Sequence, residues 1–334
     1  MALPAHLENA LRLPVVGSPM FIVSGPDLVI AQCKAGIVGS FPSLNARPAA
    51  QFEEWLIRIN EELDAHNQAH PDSPAAPYAV NQIVHRSNPR LEEDLALCVK
   101  YKVPIIITSL GARPELNDAV HSYGGIVFHD IINQKFAHKA IEKGADGLIA
   151  VASGAGGHAG QLSPFALIQE IRAWFDGPLL LSGCIATGDA VLAAQAMGAD
   201  LAYIGSPFIA TAEARAVEDY KRMIVECGGE DIVYTNLFSG VHGNYLKPSI
   251  SRAGLDPDNL PEGDISTMDF AAADGSADGK ISAKAWKDIW GCGQGIGAID
   301  QVQPAGDYIA RLAREYEAAR QRLLGQTDAG RRAA

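Results

Sequence analysis

The chain is short of cysteine, of cations and of long apolar runs, and each shortage removes a class of function. Its five cysteines, Cys33, Cys98, Cys184, Cys227 and Cys292, are odd in number and scattered, with no Cys-x-x-Cys pair. That excludes a disulfide framework and a structural zinc, and it fits a reducing cytoplasm. Lys and Arg number 27 against 39 Asp and Glu, a net charge of −12. Nucleic acid needs clustered cations, so no such partner is expected. No apolar stretch approaches the roughly 20 residues that span a bilayer, so no membrane partner is expected. The opening Met1–Arg12 lacks the basic start and apolar core of a signal peptide. No Gly-x-Gly-x-x-Gly joins an early strand to a helix, which argues against a dinucleotide on a Rossmann fold. Asp274–Gly279 has the look of a calcium loop, but the twelfth position is Ala285 and not Glu; no metal is expected.

What is present is a regular alternation. Apolar runs occur at Val15–Val16, Gly36–Ser40, Tyr78–Asn81, Pro104–Thr108, Gly125–Phe128, Gly147–Val151, Pro178–Leu181 and Leu201–Ile204. Helix-like segments separate them at Pro26–Lys34, Ala49–Asp64, Pro89–Val99, Arg113–Ser122, Gln134–Glu142, Ser163–Trp174 and Asp189–Met197. Asn88-Pro89 and Ser163-Pro164 read as helix starts with Pro at the first helical position. Two Gly-Ala-Asp elements, at Gly144–Asp146 and Gly198–Asp200, end a helix before the next strand. Eight strand-loop-helix units predict an α/β fold with a parallel sheet closed into a (β/α)8 barrel. With 334 residues, 48% of them hydrophobic, the chain can bury such a core. The expected division is a barrel over residues 10–215 and a helical, loop-rich lid over 216–334. In the second part a helix is expected over Ala212–Cys227 and another over Tyr308–Leu324, with a frayed tail.

The barrel places its chemistry at the C-terminal ends of its strands. The sixth such end is Ser153-Gly154-Ala155-Gly156-Gly157-His158-Ala159-Gly160, a bare loop carrying one imidazole. The seventh is Ser182–Gly188 and the eighth Gly205–Phe208. Ser182 and Gly183, with Gly205 and Ser206, present N–H groups and hydroxyls where barrels commonly hold a phosphate. The first and third strands end in Ser18-Pro19-Met20 and in Asn81 at the same face. Two later segments, Leu237–Lys247 and Trp290–Ile296, are expected to fold back over the mouth, with His242, Tyr245 and Gln294 at its rim.

Several of these elements together resemble the nitronate monooxygenase family, once called 2-nitropropane dioxygenases, and the related flavin-dependent enoyl-acyl-carrier-protein reductases. They are Gly156–Gly160, Ser182–Gly188, Gly198–Asp200, Gly205–Phe208, Pro19–Met20 and Ala35–Gly39, and the likeness covers roughly residues 10 to 250. The resemblance implies an FMN-binding barrel. In it Ser18, Pro19 and Met20 lie beside the flavin ring, with Asn81, Gly156 and Gly157 in the same cofactor site. Ser182, Gly183, Gly205 and Ser206 hold the phosphate, and His158 is the active-site histidine. The implied reaction oxidises an alkyl nitronate with O2 to a carbonyl compound and nitrite in the cytoplasm, and a homodimer is compatible with it. His158 then either holds the anionic substrate or removes the α-proton of a neutral nitroalkane; an ordinary imidazole pKa of about 6.5 suits both. An NAD(P)H-dependent reductase of quinones or enoyl thioesters, and a flavin-free barrel binding a phosphate ligand, are the alternatives. The chain departs from the family pattern at Cys184, at Pro207 and at Asp130, where many members carry Gly, Arg and Lys. Asp130 reads as a solvated strand-end carboxylate.

Overall fold

The computed structural model describes residues 3–263 and 288–332; the Asp274–Ala285 segment lies outside these. Eight parallel strands form one sheet: β1 (Val15–Gly17), β2 (Gly39–Pro42), β3 (Tyr78–Ile83), β4 (Ile105–Ser109), β5 (Ile126–Ile131), β6 (Gly147–Val151), β8 (Leu179–Ser182) and β9 (Leu201–Ile204). The two-residue β7 (Gly157–His158) falls between β6 and β8 in the chain and belongs to a second sheet. The order in the large sheet runs β1-β9-β8-β6-β5-β4-β3-β2. A parallel bridge between Val16 and Val38 joins the two ends, so the sheet closes on itself as a (β/α)8 barrel.

Strand parity builds the interior. Successive residues of a strand face opposite sides, and one alternate set makes an enclosed apolar cluster: Val16, Val38, Ala79, Ile105, Ile107, Ile126, Phe128, Ile149, Leu180, Leu201 and Tyr203. Leu7, from the short helix Ala5–Glu8, packs with the first residues of these strands and closes the N-terminal end. The other set packs outward on the helices in a larger cluster. The two Gly-Ala-Asp elements share one structural task. Gly144 and Gly198 take φ of +89° and +113° and end their helices. The following Asp then accepts from the backbone of the preceding strand, Asp146 from Val127 N at 2.7 Å and Asp200 from Leu179 N at 2.9 Å.

Several boundaries differ from expectation, among them the end of the helix Ala50–Ala69, expected at Asp64. The second strand starts at Gly39, because Gly36 at φ +90° is still turning out of the helix Pro26–Lys34. The fourth helix begins at Leu91 and not at Pro89, since Asn88 Oδ1 accepts from Arg90 N and keeps Pro89 in a turn. The helix expected over Ala212–Cys227 is only Glu218–Glu226, preceded by the short helix Ser206–Ile209. The chain between them is tied by Ala212 N to Gln303 O and by Arg215 N to Val23 O. The last helix is longer than expected, running Ala305–Arg332.

That last helix braces the barrel behind the seventh loop. A Cβ on Gly188 would lie 2.1 Å from Tyr316 N, so only glycine permits the crossing. Glu315 accepts from Gly188 N at 2.8 Å, and Tyr308 donates to Ala186 O at 3.0 Å. Gly188 therefore serves helix packing.

Candidate active site

Extending the inward parity by one step gives the floor of the barrel mouth. Two residues beyond the apolar layer stand Ser18 on the β1 side, Ser40 on β2, Asn81 on β3, Ser109 on β4, Asp130 on β5, Val151 on β6 and Ser182 on β8. An apolar barrel is thus capped by a mostly neutral polar layer in which Asp130 is the one carboxyl. Ser40 donates to Gly17 O. The β1 loop is clamped by Asn45, whose amide donates to Met20 O at 2.9 Å and Ser24 O at 2.8 Å while its Oδ1 accepts from Ile22 N at 2.9 Å. This clamp holds Ser18, Pro19 and Met20, all half-buried, at the mouth. Asn45 lies outside every motif used above.

Ser182, Gly183, Gly205 and Ser206 come together at the ends of the adjacent strands β8 and β9. Gly183 and Cys184 have φ of +135° and +59°. In the short helix Ser206–Ile209 Pro207 has no N–H and Phe208 N donates to Gly205 O, so the backbone donors left at these ends are those of Gly183, Cys184, Gly205 and Ser206. A Cβ on Gly183 would lie 2.9 Å from Ser153 O, so the turn also needs glycine for space. This donor set, backbone N–H without a cation, fits a phosphate. Ser206 is partly engaged already, as its Oγ accepts from Gly293 N at 2.7 Å. Cys184 occupies a left-handed position that costs an L-residue roughly 1–2 kcal/mol.

Next to these ends, after β6, Gly157–His158 forms β7 and pairs with β11 (Gly243–Leu246), which pairs in turn with β10 (Ile232–Thr235). The glycine loop is thereby tied to a hairpin more than 80 residues later in the chain. Asn244 donates to Ala155 O at 2.6 Å, Tyr234 donates to Ala159 O at 2.8 Å, and Gln294 N donates to Gly154 O at 2.9 Å. A Cβ on Gly156 would meet Gly293 N at 2.7 Å, whereas a Cβ on Gly157 would meet nothing within 4 Å. Gly156 is glycine for packing under the second segment, and Gly157 faces open space. Both expected segments therefore fold back onto the glycine loop.

His158 is half-buried, and its Nε2 lies 2.7 Å from Ser239 Oγ. Ser239 Oγ also donates to Val241 O at 3.0 Å, which uses its one proton. The network thus assigns the proton to His158 Nε2 and the lone pair to Nδ1. Desolvation pushes this imidazole down to about 4, although part of the ring still faces the mouth. At neutral pH it is an uncharged acceptor.

The rim residues divide. His242 is exposed and stacks on Tyr234 with ring centroids 5.0 Å apart. Gln294 is exposed with its side chain against Gly154. Tyr245 is 1% exposed and packs edge-on against Phe238 within a small cluster with Ile250 and Ile289. Strand alternation turns Asn244 toward the glycine loop and Tyr245 away from it, so Tyr245 belongs to the interior of the lid and not to its rim.

Asp130 also departs from expectation. It accepts from Ser109 Oγ at 2.5 Å and from the Leu110 N–H, and Ser109 in turn accepts from Asn81 Nδ2 at 2.8 Å. Asn81 is 5% exposed and also donates to Ile107 O at 3.0 Å. Burial raises the Asp130 carboxyl to about 6, against the pull of those two donors. It is a mouth-floor acid, not a solvated strand end. The adjacent His129 faces the other way, bonded to Thr108 Oγ1 at 2.6 Å, and burial lowers it to about 4.

Among the described residues no group of His, Cys, Asp and Glu is placed to hold a metal ion, and no helix is long and apolar enough to cross a membrane. The nitronate monooxygenase family model matches residues 6–315, so the chain belongs to that family, whose members are oxidoreductases. A nitronate monooxygenase of Paraburkholderia phytofirmans is 25% identical over 91% of this chain and 92% of its own. A Rhodococcus jostii dehydrogenase of a hydroxy-methyl-oxo-octahydroindene-carboxyl-CoA is 25% identical over 71% of this chain and 63% of its own. Two solved structures share the fold. One is FabK from Thermotoga maritima (TM-score 0.74, 22% identity, 96% of this chain and 97% of that one). The other is a nitroalkane oxidase from Streptomyces ansochromogenes (TM-score 0.73, 22% identity, 96% and 100%).

Proposed function

We propose that this member of the nitronate monooxygenase family binds FMN and oxidises alkyl nitronates with O2 to a carbonyl compound and nitrite. The observation that carries the reading is the placement of His158. It is a neutral imidazole with its tautomer set by Ser239, standing in a loop otherwise cleared of side chains, and that loop lies beside the turn at Gly183 and Cys184. FMN fits this end of the barrel, because the N–H groups of Gly183, Cys184, Gly205 and Ser206 would hold its phosphate at the strand ends where barrels hold phosphates. Gly157, where a Cβ would meet nothing within 4 Å, would leave room for the flat ring, and Ser18, Pro19 and Met20 would line it. When bound, the flavin supplies the acceptor for the substrate's electrons.

The protein's own part is positioning and proton control. His158 Nδ1 accepts the α-proton of a neutral nitroalkane, and a preformed nitronate makes no use of that base. Asn244 and Tyr234 hold the glycine loop, and with it His158, in place. Release of the cofactor by heat, followed by chromatography, tests for FMN; nitrite formation under air tests the reaction. Colourless protein that takes up no FMN refutes the reading.

A second reading, an NAD(P)H-dependent reductase of quinones or enoyl thioesters, draws on an apolar group beside the same loop. Ile132, Leu162 and Phe165 are 38%, 37% and 62% exposed, and Ile132 lies against Gly160. Such a surface suits an apolar substrate tail. Anaerobic mixing with NADH separates the two, since rapid bleaching of the flavin is expected only of the reductase.

A further inference from the structure

The barrel's geometry points from the strand ends at Gly183 and Ser206 to Asp130. In the eight-membered ring of strands, β8 and β9 stand opposite β3 and β4, with β5 beside them. A ligand anchored by its phosphate at Gly183 and Ser206 and long enough to cross the mouth would reach the ends of β3, β4 and β5. There it meets the Asn81–Ser109–Asp130 chain, in which each partner fixes the next: Asn81 donates to Ser109, and Ser109 to Asp130. Asn81 and Ser109 are buried, and Asp130 keeps its exposure toward the mouth. The remaining inward groups of the floor are hydroxyls or apolar, and Tyr203, the nearest other ionisable group named on β9, is pushed up by burial and stays neutral.

We propose that Asp130 contacts the ring end of the bound flavin, and that its charge makes that flavin a weak electron acceptor and a weak binder of anions. The inference rests on the FMN reading above. Its physical basis is a single carboxylate, held by two donors, with no cation acting on it among the described residues. A negative charge beside a ring that becomes more negative on reduction opposes reduction, and the low local dielectric strengthens the effect.

The test uses the full-length protein loaded with FMN, comparing wild type with Asp130→Asn, which can still accept from Ser109, and with Asp130→Ala. Sulfite, a small anion that adds reversibly to oxidised flavin, is titrated by loss of the flavin's visible absorbance. The midpoint potential is measured by equilibration with a reference dye. Both variants should bind sulfite about tenfold or more tightly than wild type. Their potentials should move positive, by about 30 mV for each tenfold gain in the two-electron equilibrium. FMN-loaded proteins with equal sulfite affinities and equal potentials overturn the role of Asp130 while leaving the FMN reading intact. Protein that takes up no FMN overturns both. A variant with a more negative potential than wild type also overturns the proposal, because it would show that the carboxylate had been favouring the reduced ring.

Discussion

Replacing His158 with alanine separates proton removal from anion positioning at one site. In wild type the imidazole is neutral, with Nε2–H on Ser239 and the lone pair on Nδ1. With a neutral nitroalkane, removing a positioned base should lower kcat/KM by roughly 10²–10⁴-fold, about 3–5 kcal/mol of transition-state stabilisation. With the preformed nitronate the proton is already gone, and a neutral Nδ1 acceptor has no hydrogen to take from the anion, so the loss should stay below about fivefold. The pH dependence follows from the same environment. Burial pushes the imidazole down to about 4, so the base form persists above that value. The nitroalkane rate should therefore show no step near 6.5 and should fall only as pH drops toward 4. Stopped-flow or oxygen-electrode rates on both substrates, with FMN content checked for each sample, decide the matter. Equal losses on the two substrates would demote His158 from base to anchor, and no loss on either would remove it from the chemistry.

Other substitutions probe the scaffold around it. Gly156→Ala should displace the Gly293 segment and cut activity at least tenfold, because its Cβ would meet backbone at 2.7 Å; Gly157→Ala meets nothing within 4 Å and should cost only the roughly 1–2 kcal/mol of its left-handed conformation, with φ at +64°. Limited proteolysis of the lid and denaturant melts compare the two. Cys184→Gly should stabilise the protein by up to about 1 kcal/mol in denaturant titrations, since relief of the left-handed strain exceeds the added freedom of the unfolded chain; a loss of stability would show that the thiol contributes packing. His129, lowered by burial to about 4, takes up its proton in the unfolded chain near 6.5 and in the fold only near 4. Stability should therefore fall with decreasing pH across that window, by up to about 3 kcal/mol from this residue. His129→Gln should flatten the acid limb of stability against pH, and an unchanged limb would assign it to other groups.

The barrel is legible in the sequence because its signals are local. Each strand is a short apolar run, and segments such as Gln134–Glu142 and Pro26–Lys34 carry their boundaries in neighbouring residues. The strand-end loops at Ser182–Gly183 and Gly205–Ser206 are legible for the same reason, as glycine and serine sit directly at strand ends. The positions that escape such reading are those whose meaning depends on partners far away in the chain. Ser239 sets the tautomer of a histidine 81 residues earlier, and no spacing rule connects them. Composition places Tyr245 at the rim, whereas one step of strand parity, fixed by the pairing of Gly243 with His158, sends it into the lid's own core. Asp130 is the instructive case, because its signal is local and still differs from the solvated strand end that its position suggests. Ile105-x-Ile107-x-Ser109 and Ile126-x-Phe128-x-Asp130 carry the period of two that turns every second residue into the barrel. Following that period past the apolar layer puts Ser109 and Asp130 side by side in the mouth floor. Their hydrogen bond then follows from the register that sets Thr108 against His129. What parity cannot supply is the charge state. That depends on how much water reaches the carboxylate once the strands, Leu110 and the loops above have closed around it, and this is a property of the assembled mouth alone.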